Sequence, residues 1–362
     1  RGVRISMQTL WPVRTRPVGQ TGRVKILADV DTGIDDACAL LQLCGLPDVE
    51  LMGVTTTSGN TTASQAALNT LAVLDVAGRP EVEVCVGTPE PLVRPLATTP
   101  ETHGPGGIGY AALDDLGIRL STRPWLELWR EVLEAHPGEV TLLVTGPTTN
   151  LALALREIPN LPRLARRIVI MGGCFWHLGN TTPTAEWNTW CDPDAAKKVC
   201  EAFEGLPEQQ LPIWCSTDQT ERIEYRPEFL DDLLVSCGTS PLGYSASRRR
   251  VKEAEARTGH RALDLLTDAL RFYFEFHHDY DQGYVAHLHD LFAAQVAAEV
   301  ATVELATTVM DVEASSDLLR GTTVRDNRQV WGRRPNARVV VDCRPDEVFA
   351  TFAGGLQRLV AG

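Results

Sequence analysis

The stretch "VKILADVDTGIDDACALLQL", residues 24–43, carries four carboxylates within eight positions, flanked by two apolar runs. Its first seven residues read as a buried strand, the "DTG" as a tight turn, and the rest as a helix. Asp29, Asp31, Asp35 and Asp36 repel one another there, and burying even one unpaired charge is costly. Asp35 and Asp36 alone would suit a helix first turn, where acids complement the macrodipole. Asp31, on the turn itself, is not covered by that explanation. At i, i+4 and i+5, Asp31, Asp35 and Asp36 can converge above the helix N-terminus. Their repulsion then favours a hard cation with oxygen ligands, Ca2+ or Mg2+.

The pattern of the opening stretch recurs. "VELMGVTTT" (49–57), "VEVCVG" (82–87), "EVTLLVTG" (139–146), "RIVIMGG" (167–173) and "LPIWCSTD" (211–218) are short apolar runs that end in polar or small residues. Nearly continuous Val, Ile and Leu without alternation suits strands covered on both faces, as in a parallel sheet. Helical patterns at 35–45, 61–77, 124–136, 149–157 and 193–204 lie between them. The expected fold class is α/β: one domain with a doubly wound, mostly parallel, Rossmann-like sheet. Beyond residue 220 the charged "SASRRRVKEAEARTGHR" (245–261) reads as a solvated helix or loop face. A long helix follows at 262–281, with Phe272, Phe276 and Tyr280 spaced to form its core face. Strands around 305–313 and 336–343 and a helix at 345–360 complete a C-terminal helical and antiparallel extension. In such a sheet ligands bind outside the carboxyl ends of the strands. Asp29, Asp31, Thr55–Thr57, Asn60, Thr145, Met171 and Asp218 are therefore expected around one site.

With 44% hydrophobic and 22% charged residues, the 362-residue chain can build a sizeable core. A net charge of −13 argues against nucleic acid or an anionic membrane as partner. Nine scattered cysteines without a CxxC pair read as reduced thiols, which points to the cytoplasm. No apolar run approaches the roughly 18 residues of a membrane span. Residues 1–22, basic and lacking an apolar core, read as a flexible leader or a cloning remnant before a domain at 23–362.

Two look-alike motifs fail. "DVDTGID" has Gly33 where the haloacid-dehalogenase nucleophile motif wants Thr or Val. "GPGGIG" (104–109) matches GxGxxG but follows no strand, so the dinucleotide reading lacks its context. A glycine-rich loop able to close over a site remains.

With these motifs joined, the sequence strongly resembles the inosine-uridine preferring nucleoside hydrolase family from about Val24 to the C-terminus. "DVDTGIDDA" (29–37) resembles the family's DxDPGxDDA, with Thr32 in place of the usual proline. Asn60 in "TTTSGN" resembles the asparagine after the second strand, and His103 in "HGPGGIG" the His-Gly loop. "LLVTGPTTNLALAL" carries Thr145, and "MGGCFWHLGNTTPTAEWN" carries Met171, Asn180, Glu186 and Asn188. "HLHDLFAA" matches the late His-Asp motif with His289 and Asp290, although Leu291 replaces a common proline.

The resemblance implies a calcium-dependent hydrolase that releases nucleobase and ribose from ribonucleosides of inosine and uridine type. It implies Ca2+ held by Asp31, Asp35, Asp36, the Thr145 carbonyl and Asp290, an all-oxygen set. It further implies Asp31 and His289 as catalytic residues, and substrate contacts from Asn60, His103, Met171, Asn180, Glu186 and Asn188. A homodimer or homotetramer is the implied assembly. Cleaving an N-glycosidic bond builds positive charge on the ribose, which surrounding carboxylates stabilise. Asn60 can also cap the helix that follows it, and His277 and His278 read as structural or rim residues. Trp187, where inosine-uridine members often have phenylalanine, echoes a purine-specific group. Two alternatives stay open: a purine-specific hydrolase, or a nucleoside- or ribose-binding protein without turnover.

Overall fold

The structure, a computed structural model, describes residues 12–14, 22–112, 120–248 and 257–361. Nine strands among these form the central sheet: β1 (Pro12–Arg14), β2 (Val24–Val30), β3 (Val49–Thr56), β4 (Val84–Val86), β5 (Val140–Val144), β6 (Ala165–Met171), β7 (Ile213–Cys215), β8 (Thr302–Thr308) and β9 (Ala337–Cys343). Their order is β1-β8-β9-β7-β6-β5-β2-β3-β4. From β9 to β4 every pair is parallel, whereas β8 runs antiparallel to both β1 and β9. The sheet is thus the α/β, mostly parallel one that the sequence pattern implies, with its antiparallel part near the C-terminus.

Burial on both faces explains the unbroken apolar runs. Every residue of β5 is buried, and β2 is buried throughout except at Lys25. Side chains alternate along β2: Ile26, Ala28 and Val30 join one core, Leu27 the other. The first core packs under the helices Ile34–Gly45, Ala63–Val76, Arg261–Asp279, His289–Ala297 and Pro345–Ala361. The second packs under Trp125–Ala135, Thr149–Glu157 and Pro193–Ala202. Helix Ile34–Gly45 is buried nearly all round because helices cover its outer side too.

Several expectations are corrected. Pro12–Arg14, inside the expected leader, is an edge strand paired with Thr302–Glu304. The rest of that leader, and residues 249–256 of the charged stretch, lie outside the described residues. Phe272, Phe276 and Tyr280 do not form the core face of their helix. Phe272 and Phe276 are half-buried and Tyr280 is 60% exposed. The face that packs inward carries Leu263, Leu266, Leu270 and Phe274, since the helix turns 100° per residue and the aliphatic series lies on the opposite arc. Two further antiparallel ribbons, Met310–Val312 with Thr323–Arg325 and Glu224–Tyr225 with Ala286–His287, lie outside the main sheet.

Helix Ile34–Gly45 is clamped at its last residue. A Cβ added at Gly45 would stand 2.3 Å from the Gly355 carbonyl oxygen, and the Gly45 carbonyl accepts a hydrogen bond from Arg358 Nε at 3.0 Å. Gly45→Ala must therefore push two helices apart, and the expected loss is about 1–3 kcal/mol of unfolding free energy. Urea unfolding measures it; an unchanged midpoint would contradict this close approach.

Candidate active site

In β2, Asp29 lies level with Thr55 of β3 on one side and Val144 of β5 on the other. The chain leaves β2 towards β3 and returns from β4 to β5 on the far side of β2, so the strand order reverses between β2 and β5. A crevice opens at such a switch point. The loops after these strands deliver Asp31, Asn60 and Thr145 to it.

Asp35 and Asp36 occupy the first turn of Ile34–Gly45, and Asp290 the first turn of His289–Ala297. Two helix N-termini thus point at one acidic cluster, and their partial positive charges oppose its repulsion. One oxygen from each of Asp35, Asp36 and Asp290 lies within 4.8 Å of the others, so the cluster can hold a metal ion. Asp36 is the best satisfied: Oδ2 accepts from Gly33 N at 2.8 Å and Asn60 Nδ2 at 3.3 Å, and Oδ1 from Thr145 Oγ1 at 2.6 Å. Asp31 Oδ2 accepts from Asn60 N at 2.7 Å, but its buried Oδ1 has no partner among the described residues. A Cβ on Gly59 would stand 2.1 Å from Asp31 Oδ2, so only glycine lets that backbone close on the carboxylate.

Burial raises the pKa of all four acids, with repulsion from neighbouring carboxylates behind it at Asp31, Asp35 and Asp290. Asp35 rises to about 7, and Asp31 and Asp290 well above the usual carboxylate value; Asp36 is raised less, its burial countered by the Thr145 and Gly33 hydrogen bonds. An orphaned buried oxygen, an all-oxygen donor set and crowded acids together fit a hard cation. Asp29 stands apart. It ties β2 to β3 through Thr55 Oγ1 at 2.6 Å and to helix Thr149–Glu157 through Asn150 Nδ2 at 2.8 Å, and burial lifts its pKa to about 7.

Above the cluster lies a cavity of about 510 Å3 whose walls include Asp35, Asn60, His103, Thr145, Met171, Asn180, Glu186, Asn188, His289 and Asp290. Asp31 and Asp36 sit beneath this surface, fully buried. Of the twelve site residues that the family resemblance implies, ten stand on the wall and these two lie under the floor, whereas Asp29, Thr55–Thr57 and Asp218, expected there from their strand ends, are not on the wall.

Local geometry changes what several of these residues do. Asn60 does not cap the following helix; Thr62 does, its Oγ1 accepting from Gln65 N. Glu186 is 1% exposed, and both of its oxygens are engaged by the protein. Oε1 accepts from Asn188 N at 2.7 Å, and Oε2 from Gly173 N at 2.9 Å and Thr189 N at 3.1 Å. It thereby caps helix Trp187–Cys191 and pins the turn after β6. Asn188 Nδ2 donates to the Thr145 carbonyl at 2.6 Å. Asn180 is exposed at the rim, its Oδ1 accepting from Trp187 N. Asp218 is not part of the wall; its carboxylate holds the backbone of Phe175, Trp176 and His177.

His103 Nδ1 accepts from Ile34 N at 3.1 Å, and burial lowers its pKa to about 3. His289 Nδ1 lies 2.7 Å from Thr220 Oγ1. Burial, reinforced by neighbouring imidazoles, drives its pKa well below the usual histidine value. His289 is therefore neutral at pH 7.

The family model for inosine-uridine preferring nucleoside hydrolases matches residues 26–350. The chain belongs to the inosine-uridine preferring nucleoside hydrolase family. It is 33% identical, over 88% of its own length and 93% of the relative's, to a pyrimidine-specific ribonucleoside hydrolase of Citrobacter koseri. Among solved structures it resembles a plant nucleoside hydrolase (26% identity, TM-score 0.76) and a purine-preferring ribonucleoside hydrolase from Gardnerella vaginalis (25%, TM-score 0.79). Each match covers 93% of this chain and 99% of the other. The protein is an N-ribosyl hydrolase, cleaving the N-glycosidic bond of ribonucleosides.

In this nucleoside hydrolase the base end of the cavity is where sequence reasoning fell short. Tyr273, Phe276, Tyr280, Gln282, His287 and Glu221 line it. They come from helix Arg261–Asp279, the turn after it, the strand Ala286–His287 and the end of the short helix Thr217–Thr220, without a motif of their own. The spacing of His287 and His289, two apart and so on one face of an extended segment, was the available signal.

The cap at Glu186 can be tested by itself. Glu186→Ala removes an acceptor for three backbone N–H groups and should cost about 1–2 kcal/mol of stability in thermal or urea unfolding. Wild-type stability in the variant would show that those N–H groups find other partners.

Proposed function

We propose that the protein is a calcium-dependent ribonucleoside hydrolase acting on inosine- and uridine-type nucleosides, and that Asp31 and His289 are its catalytic residues. The observation that carries this reading is the buried quartet Asp31, Asp35, Asp36 and Asp290 directly under a cavity of nucleoside size. Asp31, Asp35, Asp36, Asp290 and the Thr145 carbonyl would hold Ca2+. When bound, the ion supplies Lewis acidity and a positive charge that lets these acids stay ionised together.

The chain's own residues do the rest. Asp31 Oδ1, without a hydrogen-bond partner among the described residues, would accept a proton from the attacking water. The carboxylates stabilise positive charge on the ribose as the bond to the base breaks. Asn60, His103, Met171, Asn180, Glu186 and Asn188 would surround the sugar and its leaving base. Glu186 and Asn188, fixed by their hydrogen bonds to the backbone, would meet ribose hydroxyls already oriented. His289 is neutral, so it would assist the departing base as an N–H donor: in the tautomer in which the Thr220 hydroxyl donates to Nδ1, the proton sits on Nε2 and can spread the base's negative charge.

The reading extends to a cytoplasmic homodimer or homotetramer. All nine cysteines are free thiols, which suits a reducing compartment, and no helix is long and apolar enough to cross a membrane among the described residues. One observation favours a purine-specific alternative: Trp187 lines the cavity, stacked on Trp190 at 5.5 Å. Release of base from inosine, adenosine, uridine and cytidine, with calcium and with chelator, decides between the readings.

For the metal, Asp31→Asn and Asp290→Ala should each lower turnover by at least about a thousandfold while the fold persists. Removing one acid relieves repulsion, so the calcium-free variants should melt no lower than calcium-free wild type. Their calcium-induced rise in Tm should shrink, because less binding energy is linked to folding. An undiminished rise in both variants would sink the assignment.

For His289, the leaving group supplies the test. His289→Ala should slow uridine and inosine by at least about 100-fold more than p-nitrophenyl riboside, whose leaving group needs little help. Equal losses on both kinds of substrate would remove His289 from leaving-group assistance.

A further inference from the structure

The proposed function gives no task to His287, which lines the cavity. His287 lies on the ribbon Ala286–His287, in register with Glu224 of the strand Glu224–Tyr225. Its backbone is held on both sides, since the next residue, Leu288, donates its N–H to the Ile223 carbonyl at 3.1 Å. Its Nδ1 stands 2.9 Å from the Glu221 carbonyl oxygen. A carbonyl can only accept, so the proton of this ring is on Nδ1. Burial lowers the pKa of the imidazole, which is therefore neutral and keeps a lone pair on Nε2.

That nitrogen has no hydrogen-bond partner among the described residues, and the ring lines the cavity. The His287 and His289 rings stack at 5.9 Å and 25°, on one wall, with His289 next to Asp290. His287 is thus one ring further from the acidic cluster than the residue assigned to the leaving atom. The Glu221 carboxylate beside it is engaged by His177 Nε2 at 3.3 Å. A fixed acceptor faces the part of the cavity where the outer edge of a base would rest.

We propose that His287 is a specificity-determining residue: its Nε2 accepts a hydrogen bond from a ring N–H of the nucleobase, so the site favours bases that carry that proton, as uracil does at N3 and hypoxanthine at N1. The proposal rests on the reading of the cavity as a ribonucleoside hydrolase site. A site built to pair with an N–H rejects the analogue lacking it more strongly than an apolar wall can, because its acceptor would be left buried and unpaired.

The experiment measures kcat/KM for uridine, 3-methyluridine and p-nitrophenyl riboside with wild type, His287→Phe and His287→Gln. Wild type should prefer uridine to 3-methyluridine by about 10- to 100-fold. His287→Phe keeps a ring and loses the acceptor; it should bring that ratio to within about threefold, by slowing uridine. The loss on p-nitrophenyl riboside should be at least about tenfold smaller than the loss on uridine. His287→Gln, which retains an acceptor, should keep more of the preference than His287→Phe. A preference that survives in His287→Phe overturns the proposal, as does an equal loss on all three substrates, the mark of a structural role. Wild-type release of p-nitrophenol without discrimination between uridine and 3-methyluridine overturns His287 alone and leaves the hydrolase reading standing. No release of base or p-nitrophenol from any substrate overturns both.

Discussion

Mutual repulsion among Asp31, Asp35, Asp36 and Asp290 is the constraint around which this end of the sheet is organised. Burial raises all four carboxylates, and the charge of Asp36 raises Asp31, Asp35 and Asp290 further. The fold offers only partial relief. Two helix N-termini face the cluster, Gly33 and Asn60 each direct a backbone N–H at it, and Thr145 adds a hydroxyl. Among the described residues, one oxygen of Asp31 is still left without a donor. A structure that merely tolerated acids there would have replaced one of them, since surrendering a buried unpaired charge is stabilising. Their joint retention makes physical sense when a cation completes the set.

The same constraint reaches into the sugar-facing wall through a continuous chain of hydrogen bonds. Asp36 receives the Thr145 hydroxyl, the Thr145 carbonyl receives Asn188 Nδ2, and Asn188 N donates to Glu186. Loops after β2, β5 and β6 are thereby linked residue by residue. Displacement of Asp36 is felt at Asn188, and the cap at Glu186 fixes the position of Asn188 from the other side. The site is held by rigid elements and their ends, which is what a reaction sensitive to sub-ångström placement requires.

How legible this was from sequence depended on locality. The strands β2, β3, β5 and β6 and the helix Thr149–Glu157 were readable because both-face burial and 3.6-residue periodicity write themselves into consecutive residues. The acids of 29–37 were readable because three of them crowd one turn. Asp290 is different: it sits some 250 residues away, and only a motif resemblance joined it to them. The carboxylate of Glu186 was expected to face the sugar, yet most of its hydrogen bonds go to backbone N–H groups. No side-chain pattern announces an N-cap formed across a loop. Phe272, Phe276 and Tyr280 misled for a related reason: regular spacing shows that residues share a face, and not which face is covered. The base end of the cavity, assembled from Glu221, Tyr273, Gln282 and His287, depends on tertiary pairing that spacing does not record.

The two ends of the cavity are electrostatic opposites produced by one cause. Burial raises the carboxylates at the sugar end, where each would otherwise be an ordinary exposed acid. Burial also lowers His103, His277, His287 and His289, so the wall that would meet the base carries neutral imidazoles at pH 7. Cleavage of an N-glycosidic bond separates charge along the same axis, positive towards the ribose and negative towards the base. Cationic histidines would attract the base's charge more strongly but would also pair with the aspartates and weaken the field at the sugar. Neutral rings avoid that competition. The Glu221 carbonyl fixes the proton of His287 on Nδ1, and the Thr220 hydroxyl holds the His289 ring in place, so these rings need little reorganisation as charge develops. In the proposed reaction, preorganisation by burial would therefore let the carboxyl end of one sheet stabilise two opposite charges within a cavity of about 510 Å3.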